Sequence, residues 1–282
     1  MNLVNSVCLT KIMSDQYIWK EILKIVDNYN QMVRAELLNR WKKWQLDLTN
    51  PEIYEVVGAL VARQVTLATQ LASTPSIWNG HVAPLILRTM VDTYITLAWI
   101  FEKPIERARE FILYGLGQDK LYFEHIKKDL KKSGEDTDNH PIVKDMEKLI
   151  NSYRFADLTE INLGSWSGLN TRKMAEEAGC MEIYRYAYVP FSAATHSTWN
   201  HVSKYNLEPC SNPLHGYHKI PVDPNLPVDI SYLYRAVEYV EETFVLFDTK
   251  TNVKGDALSS IEMFYKSIDK LGEEEEQKQD KS

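Results

Sequence analysis

The chain contains 282 residues, of which 44% are hydrophobic and 25% are charged, a composition typical of a globular protein with a large core. This composition excludes an intrinsically disordered chain, a collagen and a mini-protein scaffold. The 32 basic and 39 acidic residues give a net charge of -7, which does not favour binding to a polyanion through bulk charge. The three cysteines, Cys8, Cys180 and Cys210, lack metal-like spacing, and we predict a reduced, cytoplasmic protein.

Apolar residues recur at helical spacing along nearly the whole chain, and no strand-like alternation extends beyond a few residues. Pro190 is expected to kink or divide one of the helices. Five of the eleven prolines fall within residues 209–227, which we predict to be an extended loop. Spacing, caps and prolines together predict helices over residues 14–44, 50–71, 82–101, 104–132, 141–155, 170–179, 181–205, 229–248 and 256–271.

We therefore predict an all-α fold, a helical bundle of about eight to nine helices with a proline-rich loop. The links between the predicted helices are short, which favours a single domain over residues 14–271. A flexible N-terminus over residues 1–13 and a disordered acidic tail over residues 272–282 complete this organisation. The first residues lack a basic leader and a small-residue cleavage site, so no signal peptide is expected.

The most apolar predicted helix, residues 82–101, carries Arg88 and Asp92 four residues apart on one face. These charges favour a buried helix over a membrane span, and we predict no membrane association. Burying a charge costs several kcal/mol unless the charge is paired or used. The pair is therefore either an internal ion pair that fixes helix packing or a functional pair that faces a pocket.

A second group consists of hydrogen-bonding side chains that follow one another every four residues: Tyr184, Tyr188, Ser192 and His196. On a helix these positions form a slowly drifting stripe. A core face normally consists of Leu, Ile and Val, so a stripe of hydroxyl, aromatic and imidazole groups indicates a polar network or a pocket wall.

Four of the seven histidines lie between residues 196 and 218. His196 and His201 would point away from each other on a straight helix. His215 and His218 could chelate a metal in a loop, but no Cys or Glu partner is spaced to complete a known pattern. We therefore predict no metal site and no cofactor. The weakest alternative is a metal-dependent hydrolase that uses His201, His215, His218 and Asp223.

The block from Gly80 to Asp92, followed by an apolar helix, Pro104 and residues 106–111, resembles the bacterial family catalogued as domain of unknown function 5677. The second half of the chain agrees, with Trp166, the Met-Ala-Glu-Glu-Ala-Gly run over residues 174–179 and the Tyr/Ser/His stripe. Relatives favour a glutamate where this chain has Asp92. The resemblance covers about residues 15–250, supports the helical fold and adds Trp166 to the candidate site, but it supplies no activity.

We hypothesise that the two polar groups face each other, so that Arg88, Asp92, Tyr184, Tyr188, Ser192 and His196 line one pocket. The leading prediction is a bacterial stress or phage-defence effector, of the abortive-infection kind, whose pocket binds RNA or a small anionic or phosphate-bearing ligand. Its enzymatic form is a metal-free ribonuclease, in which His196 is the general acid/base and Arg88 stabilises the developing charge.

The chain lacks the closely spaced arginine and histidine of known helical ribonuclease toxins, so Arg88 and His196 would have to meet from separate helices. The alternative is a non-enzymatic, ligand- or partner-binding helical module in which the same residues form a structural hydrogen-bond network. The aromatic complement would also allow a homodimer or a protein partner.

Overall fold

A computed structural model describes residues 16–152, 165–253, 255 and 259–279, and helices dominate these ranges. A 3-10 turn (Pro75–Ile77) precedes the third helix, and a π-helical segment (Tyr184–Tyr188) follows the seventh. The predicted all-α fold is confirmed. The α-helices are α1 (Gln16–Lys43), α2 (Pro51–Ala72), α3 (Ala83–Glu102), α4 (Pro104–Lys132), α5 (Pro141–Asn151), α6 (Thr171–Glu177), α7 (Met181–Ile183), α8 (Val189–Thr195), α9 (Trp199–Tyr205), α10 (Ser231–Thr251) and α11 (Ser260–Gln279).

Two regions differ from the prediction near the C-terminal end of the chain. The proline-rich loop contains two short strands, β1 (Leu207–Pro209) and β2 (Lys219–Pro221), which pair antiparallel with Glu208 opposite Ile220. Helix α11 continues to Gln279, although we predicted a disordered tail over residues 272–282. Glu, Gln and Lys have high helix propensity, so the acidic run extends the packed part of the helix.

Some predictions concern residues outside the described part of the chain. The flexible N-terminus predicted over residues 1–13 lies there. So do the end of the helix predicted to reach residue 155 and the last three residues of the predicted tail.

The described residues divide into two compact units. Unit 1 contains those within Met1–Gln45, Leu60–Tyr94 and Glu182–Ser282, and unit 2 contains those within Leu46–Ala59 and Ile95–Met181. Helices α2 and α3 contribute residues to both units.

The core of unit 1 includes a helix pair that is distant in sequence, α1 and α11. Helix α1 buries apolar side chains about one turn apart, which is the pattern of a helix with one face in a core. The ring of Tyr29 meets Phe264 of α11 edge-on, with the ring centroids 5.7 Å apart. Phe264 also meets Tyr234 of α10, at 5.3 Å. The aromatic contacts thus join three helices of this unit.

A fully buried glutamine links α3 to other helices of unit 1. The side-chain nitrogen of Gln64 in α2 donates hydrogen bonds to the carbonyl oxygen of Met90 in α3, at 2.9 Å, and to the hydroxyl of Thr243 in α10, at 3.1 Å. A buried amide without partners would cost about 1–3 kcal/mol. These bonds therefore fix α3 two residues after Arg88.

Unit 2 contains a smaller apolar core between α4 and α5. Phe123 of α4 packs with Val143 and Ile150 of α5. Both helices start at a proline, which is tolerated there because the first backbone N–H groups of a helix have no intrahelical acceptor.

Helix α3 is long and apolar enough to cross a membrane by length and composition, and it is the one such helix among the described residues. In this structure, 61% of its most apolar window is buried inside the protein. The buried core helix of a globular protein passes the same test.

Candidate functional site

Arg88 lies on the buried face of α3 and is held by three groups. Its Nε donates a hydrogen bond to the hydroxyl of Ser192 in α8, at 2.9 Å. Its guanidinium carbon lies 3.2 Å from the centre of the Tyr188 ring, and a terminal nitrogen pairs with the Asp92 carboxylate. Only 7% of Arg88 is exposed. We call Arg88, Asp92, Tyr188 and Ser192 the Arg88 cluster.

The backbone before α8 places Tyr188 and Ser192 for these contacts. The amide of Val189 donates to the carbonyl of Tyr184, five residues earlier, which is a π-helical bond. Pro190 has no N–H to continue the regular ladder, so the prediction that it would disturb the helix agrees with the structure. The Ser192 hydroxyl donates to the carbonyl of Tyr188, at 2.7 Å, which leaves its oxygen free to accept from Arg88.

Tyr184 extends the cluster without touching the arginine in any described contact. Its ring stacks on Tyr188 with the centroids 4.8 Å apart and the planes at 23°. Tyr188 is thus covered by Arg88 and supported by Tyr184. Such a stack fixes a ring whose electron-rich face attracts the guanidinium.

Asp92 supplies the carboxylate of the cluster, and 44% of its side-chain surface is exposed. Burial raises the pKa of Asp92 above its ordinary value, and the Arg88 charge opposes that increase. The ion pair therefore offsets only part of the cost of removing the carboxylate from water.

His196 does not share the environment that the stripe predicted. Helix α8 ends at Thr195, Ser197 takes a left-handed conformation with φ 47°, and the amide of Thr198 donates to Ala193. This pattern is a Schellman motif, which ends a helix by satisfying its last carbonyls. His196 is consequently an exposed cap residue and is not among the described contacts of Arg88. The continuous helical stripe over residues 184–196 is a wrong prediction.

Trp166 lies in unit 2 and has its own aromatic surroundings. Its ring meets Trp99 at 5.2 Å and Phe111 at 4.9 Å, both edge-on. The indole nitrogen of Trp99 donates to Glu177, which also pairs with Arg107 at 2.7 Å. The described contacts of Trp166 therefore belong to this group and not to the Arg88 cluster.

A cavity of about 300 Å³ lies beside α8 in unit 1, at the small end of the size range of ligand pockets. Pro84, one turn before Arg88 on α3, forms part of its wall. Its polar lining comes mostly from α9, a helix that the sequence merged with α8. The lining residues are Gly80, Pro84, Pro190, Phe191, Ala193, Ala194, Asn200, His201, Lys204, Tyr205 and Tyr232.

Three aromatic rings pack together here, and two of them, His201 and Tyr205, line the cavity. Tyr205 meets His201 at 4.9 Å and His81 at 5.3 Å between ring centroids, and the two imidazoles lie 5.8 Å apart. Tyr205 also approaches Gly80 so closely that an added Cβ would lie 2.8 Å from the ring. A glycine is needed at that point because any side chain would displace the tyrosine.

Two titratable side chains of the cavity, His201 and Tyr232, have shifted pKa values. Burial lowers the pKa of His201, and the neighbouring His81 and Lys204 lower it further. Burial, with smaller effects of Tyr205 and Asp229, raises the pKa of Tyr232 to about 12, so its hydroxyl stays protonated at neutral pH. The sequence pattern indicated His201 only as a candidate metal ligand. The signals that could have found this site are Gly80-His81 before α3 and the spacing of His201, Lys204 and Tyr205.

Residues 54–212, more than half of the chain, match the model of a family described as "Family of unknown function (DUF5677)". The match contains the Arg88 cluster and all but one of the residues that line the cavity. It agrees with the resemblance drawn from the sequence. No curated protein and no solved structure matches the chain.

Proposed function

We propose that this chain, which belongs to the Family of unknown function (DUF5677), is a non-catalytic helical module. The cavity of unit 1 binds a small anionic ligand in this proposal. In this proposal the Arg88 cluster is a structural network that holds α3 against α8. The observation that carries this structural role is that the Arg88 guanidinium already contacts Asp92, Ser192 and Tyr188.

A substrate-binding arginine offers its charge and its N–H donors to the ligand. Here the charge is paired with a carboxylate, Nε is used by a hydroxyl, and one face of the plane lies on a ring. The same arrangement of arginine, carboxylate and aromatic ring occurs at Arg40 and Arg107, which are equally buried. This repetition supports a packing role for Arg88.

The cavity supplies what the Arg88 cluster lacks, because its described lining combines several hydrogen-bond donors with no carboxylate. The ammonium of Lys204, the imidazole of His201 and the hydroxyl of Tyr232 are donors that suit an anion. Phe191 and the alanines of α8 supply apolar wall. A compact ligand with one anionic group, such as a phosphate or a carboxylate, fits this chemistry and size.

The first test is calorimetric titration of the chain with inorganic phosphate. Lys204→Met is expected to weaken binding by about tenfold or more, because a hydrogen bond to a charged group contributes about 1.5–3 kcal/mol. Lys204→Arg retains the charge and most of the affinity. Lys20→Met, an exposed lysine of α1, is the matched control and leaves binding unchanged. Equal affinities of Lys204→Met and wild type would refute the proposal.

Binding is also expected to depend on pH. The low pKa of His201 leaves this imidazole neutral near pH 7, and a bound anion favours its protonated form. Affinity therefore increases as the pH falls through the pKa of His201 in the complex. Sulfate is the suitable probe because its charge is constant over this range. His201→Gln is expected to remove most of the dependence, whereas an unchanged profile in that variant contradicts the role of His201.

A second candidate is metal-free RNA cleavage by a stress or phage-defence effector, and one observation favours it. His196 is exposed, so its imidazole is open to a polymeric substrate. The test is total RNA integrity in a bacterial host after expression of wild type and of His196→Ala, at equal soluble yield. RNA loss with wild type alone supports the nuclease, and intact RNA with both proteins refutes it.

A further inference from the structure

The loop between β1 and β2, residues 210–218, brings three metal-ligating side chains together. One ligand atom from each of Cys210, His215 and His218 lies within 4.8 Å of the other two. Cys210 is half-buried and the histidines are exposed, so an ion could reach all three. We refer to these residues as the hairpin triad.

The backbone of the hairpin explains why residues separated by five and three positions converge. The amide of Cys210 donates to the carbonyl of His218, at 3.0 Å, and continues the ladder of β1 and β2 by one step. Cys210 and His218 are therefore cross-strand neighbours, whose Cβ atoms lie about 5 Å apart in such pairs.

Two successive turns return the third ligand to this position. The amide of His215 donates to the carbonyl of Asn212, and the amide of His218 donates to the carbonyl of His215. Asn followed by Pro213 is the usual start of such a turn, and the Asn212 side chain also accepts from the amide of Leu214. The turns are thus encoded locally and orient His215 toward Cys210.

The contact between Cys210 and His215 has the separation of two ligands of a tetrahedral ion. The sulfur of Cys210 lies 3.6 Å from Nδ1 of His215. Two ligands of a zinc ion, with bonds of about 2.3 Å to sulfur and about 2.0–2.1 Å to nitrogen, lie about 3.5–3.6 Å apart at a tetrahedral angle. The rings of His215 and His218 have centroids 5.4 Å apart, which allows both to reach one ion.

We propose that Cys210, His215 and His218 bind a Zn²⁺ ion, with the fourth position taken by water or by a ligand atom from outside the loop. A thiolate with two imidazoles is a donor set for zinc, whereas Mg²⁺ and Ca²⁺ prefer oxygen ligands. Zinc sites with three protein ligands keep the fourth position open for water or another small ligand. Binding releases the thiol proton of Cys210 to solvent.

Asn212 is the neighbour that would respond to the ion. Its side-chain nitrogen lies 3.2 Å from Nε2 of His215. Coordination through Nδ1 places the ring proton on Nε2, so the Asn212 amide must turn to present its oxygen. Asn212→Asp offers a carboxylate to that proton and is expected to tighten zinc binding.

The experiment uses the full chain without an affinity tag, stripped with a chelator and titrated with Zn²⁺ against a chromophoric competitor. One equivalent of zinc per chain is expected. Loss of an outer-shell partner typically lowers metal affinity by roughly tenfold to 100-fold. His215→Gln and His218→Gln each remove a direct ligand and are expected to lower zinc affinity by more than that. Because the loop is exposed, circular dichroism and the melting temperature of the metal-free variants stay at the wild-type values.

Cobalt reports the thiolate directly, because a bond from sulfur to Co²⁺ produces a charge-transfer absorption in the near ultraviolet. Wild type and the double variant Cys8→Ser/Cys180→Ser, which leaves Cys210 as the last cysteine, are expected to show this band. Cys210→Ser is expected to lose it. Absence of the band in wild type, or its persistence in Cys210→Ser, means that the close contact of Cys210 and His215 is a hydrogen bond and not a metal site.

Discussion

Arg88 and Arg40 are buried arginines of unit 1 that obtain their partners in different ways. Arg88 pairs with Asp92 one turn further along the same helix. Arg40 of α1 binds both carboxylate oxygens of Asp248 in α10, at 2.8 and 2.9 Å, across 208 positions of sequence. Both arginines also cover an aromatic ring. The Arg40 pair therefore joins two helices, whereas Arg88 joins helices only through Ser192 and Tyr188.

The partners also differ in their access to water. Asp248 has 22% of its side-chain surface exposed, and Asp92 has 44%. Glu36, a further neighbour of Arg40, is buried and accepts from the amide of Ser260 at 2.6 Å. Because a bidentate pair of low exposure is screened less than a half-exposed one, Arg40 is expected to contribute more to stability than Arg88.

Arg40→Met should give the largest effect. The substitution leaves the carboxylates of Glu36 and Asp248 without this cation, and removing one partner of a buried pair costs about 3–5 kcal/mol. Urea unfolding measures the loss as a lower midpoint at constant slope. Lys20→Met, on the exposed face of the same helix, is the control and changes the free energy of unfolding by less than about 0.5 kcal/mol. A loss at Arg40 no larger than at Arg88 would remove the distinction.

Arg88→Met is expected to cost less, about 2 kcal/mol, because Asp92 can be hydrated when its partner is gone. The double variant Arg88→Met/Asp92→Leu is expected to regain most of this loss, since a buried pair can be replaced by apolar side chains at little cost. A double variant that is as unstable as the single one would show that the ion pair itself holds α3 in place.

The smallest effects are expected at the end of α8. Ser192→Ala removes the acceptor of Arg88 Nε and should cost about 1 kcal/mol. His196→Ala, one turn later and exposed, should change the free energy of unfolding by less than about 0.5 kcal/mol. The same unfolding experiment compares them. Equal losses would place His196 in the network, contrary to its exposure.

Much of the fold could be predicted from the sequence, because helices with a buried stripe have a visible period. Pairs of side chains within one helix or one turn could be predicted in the same way, and the ion pair of Arg88 with Asp92 is an example. The ion pair of Arg40 with Asp248 could not be predicted, since nothing local specifies a partner 208 positions away. The break between α8 and α9 was missed because Ser197 takes a left-handed conformation without being a glycine.

The same limit explains what was missed at the sites. His215 and His218 were recognised as neighbours in a loop, but Cys210 joins them through a two-stranded ladder of three residues a side. Strands that short carry almost no periodic signal. The cavity beside α8 was missed because its lining comes from segments between Gly80 and Tyr232, which only the packed helices bring together.

The π-helical segment Tyr184–Tyr188 allows the residue count before α8 to change by one without changing what faces Arg88. Its bond runs from the amide of Val189 to the carbonyl of Tyr184, so this turn contains one residue more than an α-helical turn. A relative without that extra residue could form a regular α-helix here, and the residue that corresponds to Ser192 would still face the arginine. Single-residue gaps within this segment in family members are therefore expected to leave the residue opposite the arginine unchanged.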